Sequence, residues 1–312
     1  MSGITAAEQT VRVAEPRTLE VSVVIPCLNE AASIKACVDA ARRAIDDGNY
    51  EGEVVVVDNG STDGSGEIAA AAGARVIHEP RRGYGNAYLA GLAAADGNYI
   101  VMLDADLTYD AAELPRFVQA LEDGGDLVLG DRMESIHPGA MPWLHRHIGN
   151  PVLTGLLNRL FGTKVNDAHC GMRAIRRDVL PRLDLRTGGM ELASEMVIRA
   201  AKLKLDIRQF PIEYRPRHGE SKLDTWSDGW RHLRFLLIHS PLHLFLLPGA
   251  LLAGLGVLVM AGVLAHVTVL GHQWDIHTLI GGSLLLILGT QVAALGLCAL
   301  TYGVYFMGEE NP

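Results

Sequence analysis

Two aspartates separated by one residue, Asp104 and Asp106, directly follow the apolar run Tyr99–Leu103, which is typical of a buried strand. Paired carboxylates at the end of a strand suit a hard divalent cation such as Mg²⁺ or Mn²⁺, which keeps some waters and bridges a diphosphate. The same aspartates could instead cap a following helix, which needs no metal. Their position after a fourth predicted parallel strand favours the metal-binding interpretation.

Polar residues also stand at the ends of the first two predicted strands. Asn29 and Glu30 follow the first strand, and Asp58 and Asn59 close the second. Acidic side chains at such positions can accept hydrogen bonds from ribose hydroxyls or a base edge, and they could also cap the helices that follow. Both interpretations stand on the sequence alone.

The segment Gly83–Tyr88 (GYGNAY) resembles a glycine-rich dinucleotide motif, and Asp104 lies about 20 residues onward, as that fingerprint requires. However, Tyr88 occupies the place of the third glycine, and the motif does not follow the first strand. We therefore exclude a Rossmann dehydrogenase. Arg81 and Arg82, just before the motif, suit a phosphate or the rim of a nucleotide pocket.

Short apolar runs alternate with helical patterns between residues 21 and 130. Helical stripes fall on Ser33–Ile45 and on the segment that the capping box Asp110–Glu113 opens. The predicted strands are Val21–Pro26, Glu53–Asp58, Ala74–His78, Tyr99–Leu103 and Leu127–Leu129. This alternation predicts an α/β domain with a mainly parallel sheet, in which a ligand binds beyond the carboxyl ends of the strands.

The C-terminal part of the chain lacks charged side chains over two long runs, Phe235–Trp274 and Ile276–Gly308. Each run exceeds the ~20 apolar residues that cross a bilayer, and core helices seldom stay uncharged for so long. Arg231 and Arg234 precede the first run, whereas the loop between the runs has no Lys or Arg. By the positive-inside rule, we expect a transmembrane hairpin with the preceding domain and both termini in the cytoplasm.

The chain divides into four predicted parts. The N-terminal residues lack the apolar segment of a signal peptide and are interpreted as a flexible tail. Trp226–His239 fits an interfacial helix, because its aromatic and basic residues adjoin the first span. Met141–Gly162 fits a helix packed on the sheet, which we favour, or one at the membrane surface. The parts are a tail (1–19), a cytoplasmic domain (20–225), a juxtamembrane amphipathic helix (226–240) and a hairpin (241–308, with spans at about 242–270 and 279–307).

The charge of the chain is unevenly distributed. The 312 residues include 27 basic and 36 acidic side chains, and this net charge of −9 makes nucleic acid a poor partner. Residues 173–234 reverse the balance, with 14 basic and 9 acidic side chains. A basic segment before a membrane hairpin suits anionic headgroups or a phosphate-bearing lipid, or an ordinary solvated surface. The four cysteines have no zinc-site spacing and are expected to be reduced.

Several motifs, in order, resemble those of family 2 glycosyltransferases with the GT-A fold: IPCLNE, VVDNGSTDGS, RRGYGNAYLAGL and LDADLTYD. Two later elements, Asp167–Arg173 (DAHCGMR) and Arg217–Lys222 (RHGESK), resemble elements of polyprenyl-phosphate sugar synthases, such as dolichol-phosphate mannose synthase and its bacterial undecaprenyl-phosphate relatives. The resemblance covers about residues 20–240. It implies a GT-A-type, Rossmann-like, mainly parallel sheet domain followed by a C-terminal two-helix transmembrane hairpin.

The resemblance also implies roles for individual residues. The nucleotide-sugar site would comprise Pro26, Asn29, Glu30, Asp58, Asn59, Arg81, Gly85 and Asp104. Asp104 and Asp106 would bind Mg²⁺ or Mn²⁺, and Thr108 stands where mannose synthases have a third ligand, a glutamine. The catalytic group would comprise Asp106, Arg132, Arg173, Arg217 and Lys222, whose basic members would face the acceptor phosphate. Two departures are Asn59 in place of a frequent Asp and Cys170–Met172 in place of Ser-Gly-Phe.

The expected reaction is inverting, metal-dependent transfer of one hexose to a polyprenyl phosphate at the cytoplasmic membrane face. A lipid phosphate monoester has a second pKa near ~6, so it attacks as a dianion without a protein base. Glu191 and Glu195 could suggest a general base, but two carboxylates four residues apart on a helix are more often structural, which is the expectation here. Glucose from UDP-glucose is slightly preferred to mannose from GDP-mannose, because DNGSTDGS and DAHCGMR most resemble glucose-type members. Self-association is left open.

Other classes of protein fit the sequence less well. A processive polysaccharide synthase would need more spans and usually a QxxRW motif, and a transporter would need charged groups within its spans. The alternative is a catalytically inactive, membrane-anchored sensor or scaffold that binds a nucleotide sugar. Such a copy should have lost the metal carboxylates or the phosphate-binding arginines, which this chain retains.

Overall fold

The computed structural model describes residues 19–217, 225–238, 240, 242–266, 268–269 and 272–307, so the predicted N-terminal tail lies, apart from Leu19, outside the described residues. Seven strands form one sheet in the described chain. They are β1 (Val21–Cys27), β2 (Gly52–Asp58), β3 (Arg75–His78), β4 (Tyr99–Met102), β5 (Leu127–Ile136), β6 (Arg173–Arg176) and β7 (Ile207–Tyr214). Their order is β3-β2-β1-β4-β6-β5-β7, and only β6 runs antiparallel to its neighbours. The predicted α/β domain with a mainly parallel sheet is confirmed.

Helices cover both faces of this sheet. They are α1 (Ile34–Asp47), α2 (Ser65–Ala71), α3 (Tyr84–Ala94), α4 (Leu114–Glu122), α5 (Asn150–Phe161), α6 (Leu180–Leu183), α7 (Leu192–Lys202) and α8 (Thr225–Ile238). Side chains of α1, α2 and α4 form a core on one face, and those of α3, α5, α6, α7 and α8 form a core on the other. The domain therefore has three layers.

The apolar residues of β1 serve both cores. Val23 and Ile25 lie in one core and Val24 lies in the other, and all three are fully buried. Burial of such a side chain contributes about 1.5–3 kcal/mol. Since β1 lies between β2 and β4, its packing also fixes where the ends of those two strands lie.

Three strands of the sheet are missed or cut short by the sequence prediction. The sequence patterns miss β6 and β7, and they end the fifth strand at Leu129, whereas β5 continues to Ile136. β6 has only four residues with an arginine at each end, so its apolar pattern is too short to stand out. β7 contains Pro211 and buries only Ile212, because it lies at the edge of the sheet, where proline is tolerated.

The segment Met141–Gly162 has two parts. A π-helical turn, His145–Gly149, precedes α5. Leu157 of α5 is fully buried against the sheet, which agrees with the packed interpretation. The first part differs, because Trp143 is 67% exposed and Ile148 is 46% exposed.

Two long helices follow the domain, α9 (Leu247–Leu264) and α10 (Ile276–Met307), with a short hairpin of β8 (Thr268–Val269) and β9 (His272–Gln273) between them. Leu242–Leu264 and Ile276–Thr301 are long and apolar enough to cross a membrane, with mean hydropathies of 2.3 and 2.1. Glycines let the two helix backbones touch, since a Cβ on Gly249 would lie 2.8 Å from the carbonyl oxygen of Gly289. α9 ends at Leu264, and the chain turns just beyond it, where His266 has a φ of 55°. The span limits of about 242–270 and 279–307 stay predictions.

Candidate active site

The loops after β1, β2 and β4 meet at one edge of the sheet. Ser33, just before α1, donates a 2.7 Å hydrogen bond to the carbonyl oxygen of Ala105, which lies between the two aspartates after β4. The N–H of Glu30 donates to Oγ of Ser65 after β2, at 2.9 Å. These bonds join the three strand ends that the sequence predicted to form a site.

The pair Asn29 and Asp58 shapes the first part of this edge. Asn29 has a positive φ of 51°, and its Oδ1 accepts a 2.8 Å hydrogen bond from the Thr62 N–H. Oδ1 of Asp58 accepts from the Ser61 N–H at 3.0 Å, and Oδ2 lies 3.1 Å from Nδ1 of His78. Burial raises the pKa of Asp58, but the hydrogen bonds from Ser61 and His78 outweigh it, so the pKa is lowered overall. Asp58 is therefore an ionised acceptor, and Pro26 lies half-buried nearby at the end of β1.

The side chain of Asn59 forms its hydrogen bonds with the neighbouring loop, residues 79–83. Its Nδ2 donates to the carbonyl oxygens of Glu79 and Arg81, both at 2.8 Å, and its Oδ1 accepts from the Gly83 N–H at 2.8 Å. The guanidinium of Arg81 pairs with Glu79, with Nε 2.9 Å from Oε1, and is exposed. In the structure Asn59 shapes the loop that carries Arg81, and direct contact of either side chain with a nucleotide stays a prediction.

Asp104 is held from two sides. Oη of Tyr84 donates to its Oδ1 at 3.0 Å, and Oη of Tyr88 lies 3.3 Å from the same atom. Its Oδ2 lies beside Gly171, where an added Cβ would collide with it. Burial, and then the charge of Asp106, raise the pKa of Asp104 to about 6.

Asp106 joins the aspartate pair to a basic residue from beyond β7. Its Oδ1 accepts hydrogen bonds from the N–H and the hydroxyl of Thr108, at 3.1 Å and 2.6 Å. Its Oδ2 lies 3.4 Å from Nη2 of Arg217, and that nitrogen is also 3.6 Å from Oε1 of Glu30. Thr108 is buried and holds Asp106, so its role as a metal ligand stays a prediction.

The aspartate pair fits a divalent cation. Two acidic groups lie at the end of one strand, and burial together with the charge of Asp106 raises the pKa of Asp104, so added positive charge there would favour its ionised form. Among the described residues, no group of three or more His, Cys, Asp or Glu side chains could hold a metal by itself. A cation bound to Asp104 and Asp106 would therefore need a diphosphate and water for its remaining ligands, as Mg²⁺ commonly does.

Arg132 of β5 and Arg173, the last residue of the DAHCGMR element, both bond to residues of that element. Arg132 forms a buried bidentate pair with Asp167, with Nε–Oδ2 and Nη2–Oδ1 distances of 2.6 Å and 2.9 Å. Burial raises the pKa of Asp167, but the charge of Arg132 lowers it further, so the net shift is downward. Arg173 is 1% exposed and donates to three main-chain carbonyls, including that of Cys170 at 2.7 Å. Both guanidinium groups thus hold this element in place, and their contact with an acceptor phosphate stays a prediction.

The remaining predicted residues have different positions. Glu195 is buried, and its carboxylate accepts from the N–H groups of Arg186 and Thr187, the latter at 2.9 Å, which agrees with a structural role. Gly85 lies at the start of α3, where an added Cβ would collide with the carbonyl oxygen of Thr187. Lys222 lies outside the described residues.

The sequence analysis did not predict that two tyrosines contact Asp104. Tyr84 and Tyr88 are four residues apart, so they share one face of a helix, and this spacing was the available signal. The same spacing is common among ordinary core residues, and the sequence does not indicate that Asp104 is the partner of these tyrosines.

Comparisons with known proteins place this geometry in a family. Residues 22–183 match the family described as Glycosyl transferase family 2. Low-salt glycan biosynthesis hexosyltransferase Agl6 of Haloferax volcanii is 46% identical over 293 residues, which are 93% of this chain and 71% of that protein. Dolichyl-phosphate hexose transferase of the same organism is 41% identical over 212 residues, which are 67% of this chain and 89% of that protein.

A solved structure has a similar fold. Glucosyl-3-phosphoglycerate synthase from Mycobacterium tuberculosis, in complex with Mn²⁺, UDP and glucosyl-3-phosphoglycerate, matches with a TM-score of 0.58 and 26% identity. The match covers 71% of this chain and 80% of that one. With its mainly parallel sheet and its aspartates at the end of β4, this chain belongs to glycosyltransferase family 2 and is a glycosyltransferase.

Proposed function

We propose that this glycosyltransferase moves a single hexose from a nucleotide diphosphate sugar to a polyprenyl phosphate at the cytoplasmic face of the membrane. The observation that carries the proposal is the 3.4 Å contact between Nη2 of Arg217 and Oδ2 of Asp106, one of the two aspartates that follow β4, in a chain that continues into two apolar helices. The similarity to a dolichyl-phosphate hexose transferase supports a lipid phosphate as acceptor.

The donor half of the site is acidic and polar. The ionised carboxylate of Asp58 and the half-buried Pro26 border the space above β1 and β2, where a ribose or base would lie. Asp104 and Asp106 would hold Mg²⁺ or Mn²⁺, which when bound supplies positive charge to the departing diphosphate. Thr108 keeps Asp106 in one orientation for that role.

The acceptor half requires positive charge rather than a base. A lipid phosphate with a second pKa near ~6 is mostly a dianion at neutral pH and can attack the anomeric carbon directly. Arg217 is the residue that we assign to bind the acceptor phosphate, because its guanidinium already contacts Asp106 of the aspartate pair. Glu195 is occupied by main-chain N–H groups and is not assigned as a base. A single displacement of this kind inverts the anomeric centre, and Lys222 would add a second charge.

An exposed aromatic residue supports the proposed membrane placement. In α8, Leu236 is fully buried against the domain, whereas Trp230 on the same helix is 63% exposed. Because α8 precedes the first candidate span along the chain by only a few residues, Trp230 would lie near the membrane surface. We propose the domain limits 20–225, 226–240 and 241–308, with both termini in the cytoplasm.

Glucose is the proposed hexose, with UDP-glucose preferred to GDP-mannose. The preference rests on the resemblance of DNGSTDGS and DAHCGMR to glucose-type synthases. It is supported by the fold similarity to an enzyme solved with UDP and a glucosyl product.

A parallel donor assay tests this proposal. The full chain is incubated with undecaprenyl phosphate, Mg²⁺ or Mn²⁺, and radiolabelled UDP-glucose, GDP-mannose or UDP-N-acetylhexosamines. We expect label in the organic phase with one donor, and loss of that label in Asp106→Ala but not in the matched surface variant Asp123→Ala. Label from no donor, while the nucleotide still binds, would contradict the proposal and favour a nucleotide-sugar sensor.

A further inference from the structure

Two tyrosines of α3 converge on one carboxylate oxygen. Oη of Tyr84 lies 3.0 Å from Oδ1 of Asp104, and Oη of Tyr88 lies 3.3 Å from Oδ1 and 3.1 Å from the carbonyl oxygen of Leu103. The rings meet edge to face, with centroids 4.8 Å apart. The two phenols and the strand end therefore form one hydrogen-bonded group.

The start of α3 is anchored to the loop before α7. Gly83 has a φ of 141°, which L side chains rarely adopt, and the N–H of Asn86 donates to the carbonyl oxygen of Gly188 at 3.1 Å. Gly85 allows this close approach, because any side chain there would collide with Thr187. This anchored helix start carries Tyr84 and Tyr88, whose phenol oxygens reach the end of β4.

Asp104 is confined on its other side by the DAHCGMR element. Oδ2 of Asp104 packs against the α-carbon of Gly171, and the N–H of Gly171 donates to Oη of Tyr109 at 2.7 Å. The carboxylate of Asp104 thus accepts hydrogen bonds at Oδ1, and Gly171 restricts its movement at Oδ2. Rotation of the carboxylate would break the first contacts or collide with the second.

We propose that Tyr84 and Tyr88 are positioning residues, which hold the carboxylate of Asp104 in the orientation that receives the cation of the donor diphosphate. The proposal rests on the proposed function for the presence of that cation. The tyrosines act through Asp104 and do not touch the substrate. This role accounts for the aromatic residues of the GYGNAY motif, which the dinucleotide interpretation left without a purpose.

The test removes single hydroxyl groups and measures metal binding. Full-length Tyr84→Phe, Tyr88→Phe and the double variant are titrated with Mn²⁺ in the presence of UDP, and free Mn²⁺ is followed by electron paramagnetic resonance. Loss of such an indirect contact weakens metal binding by about tenfold or more. Tyr99→Phe is the matched control, because Tyr99 begins β4 at the opposite end of the strand.

We expect weaker Mn²⁺ binding in Tyr84→Phe, in Tyr88→Phe and most of all in the double variant, unchanged binding in Tyr99→Phe, and recovery of the transfer rate at saturating Mn²⁺. A structural defect alone would lower the unfolding temperature and would not be rescued by metal. Wild-type affinity in the double variant would overturn the positioning role while leaving the proposed function intact. Absence of Mn²⁺ binding by the wild-type chain would overturn both.

Discussion

Nη2 of Arg217 lies 3.4 Å from Oδ2 of Asp106, so the chain beyond β7 reaches the aspartate pair at the end of β4. The same nitrogen lies 3.6 Å from Oε1 of Glu30 after β1. One guanidinium thus contacts two acidic side chains that the sheet brings together. The contact links the aspartate pair to the basic segment 173–234, which precedes the two long apolar helices.

Replacement of Arg217 by alanine should reduce transfer without preventing folding. A hydrogen bond to a charged group contributes about 1.5–3 kcal/mol, which corresponds to about a 10- to 150-fold loss in kcat/KM. Arg217→Lys should retain part of the rate, because it keeps the charge but not the planar fork. The measurement is steady-state transfer with lipid acceptor varied. Arg215→Ala is the control, since Arg215 pairs with Asp110 and Glu213 instead, and an Arg217→Ala rate equal to that of the control would exclude this role.

Removal of the divalent cation should abolish transfer. Asp106→Asn and chelation by EDTA should each lower the rate by about a hundredfold or more, because the charge of the leaving diphosphate is then not neutralised. Addition of Mg²⁺ or Mn²⁺ should restore the chelated wild-type chain but not the variant. Full activity of the chelated chain would show that the aspartates serve another purpose.

The buried pair of Arg132 and Asp167 should make stability depend on pH. Arg132 holds the pKa of Asp167 below its unfolded value of ~3.9, so the stabilisation is present above about pH 4 and is lost as the pH falls through the folded pKa. Asp167→Asn leaves Arg132 buried without its partner and should lower the free energy of unfolding by about 3–5 kcal/mol at pH 7.

Unfolding of both proteins across pH 3–7 provides the measurement for this pair. The difference between wild type and Asp167→Asn should shrink at the acidic end. Asp178→Asn serves as control, because the Asp178–Arg176 pair is exposed and contributes about 0–1 kcal/mol. A difference between wild type and Asp167→Asn that does not change with pH would argue against the linkage.

Gly85→Ala should destabilise the domain, because the added methyl group collides with the carbonyl oxygens of Thr187 and Gly189. Overpacking of this kind costs about 1–3 kcal/mol. The matched variant is Gly155→Ala in α5, which meets no atom within 4 Å and should be neutral or stabilising by up to about 1 kcal/mol. Equal unfolding temperatures for the two variants would mean that the approach at Gly85 is looser than described.

The sheet could be predicted where strands are buried on both faces. β1 and β2 contain short runs of valine and isoleucine, which are typical of strands buried on both faces of a sheet. β7 could not be predicted in this way, because its position at the edge of the sheet tolerates polar residues and Pro211. The site edge followed from topology, since the ends of parallel strands meet whatever side chains they carry.

Individual side-chain partners were harder to predict than the site itself. Asn59 has the right place in the sequence for a ligand contact, but its three hydrogen bonds go to the loop 79–83. Arg173 carries the expected charge, yet main-chain carbonyls surround it. Such pairings depend on loop conformation, which short-range patterns do not determine.

The most direct test of the account compares a lipid and a soluble acceptor for the same enzyme. The full chain in nanodiscs receives radiolabelled UDP-glucose with either undecaprenyl phosphate in the bilayer or 3-phosphoglycerate in the water phase. We predict acid-labile label in the organic phase with the lipid and none on phosphoglycerate. Label on phosphoglycerate, with none on the lipid, would contradict the proposed acceptor.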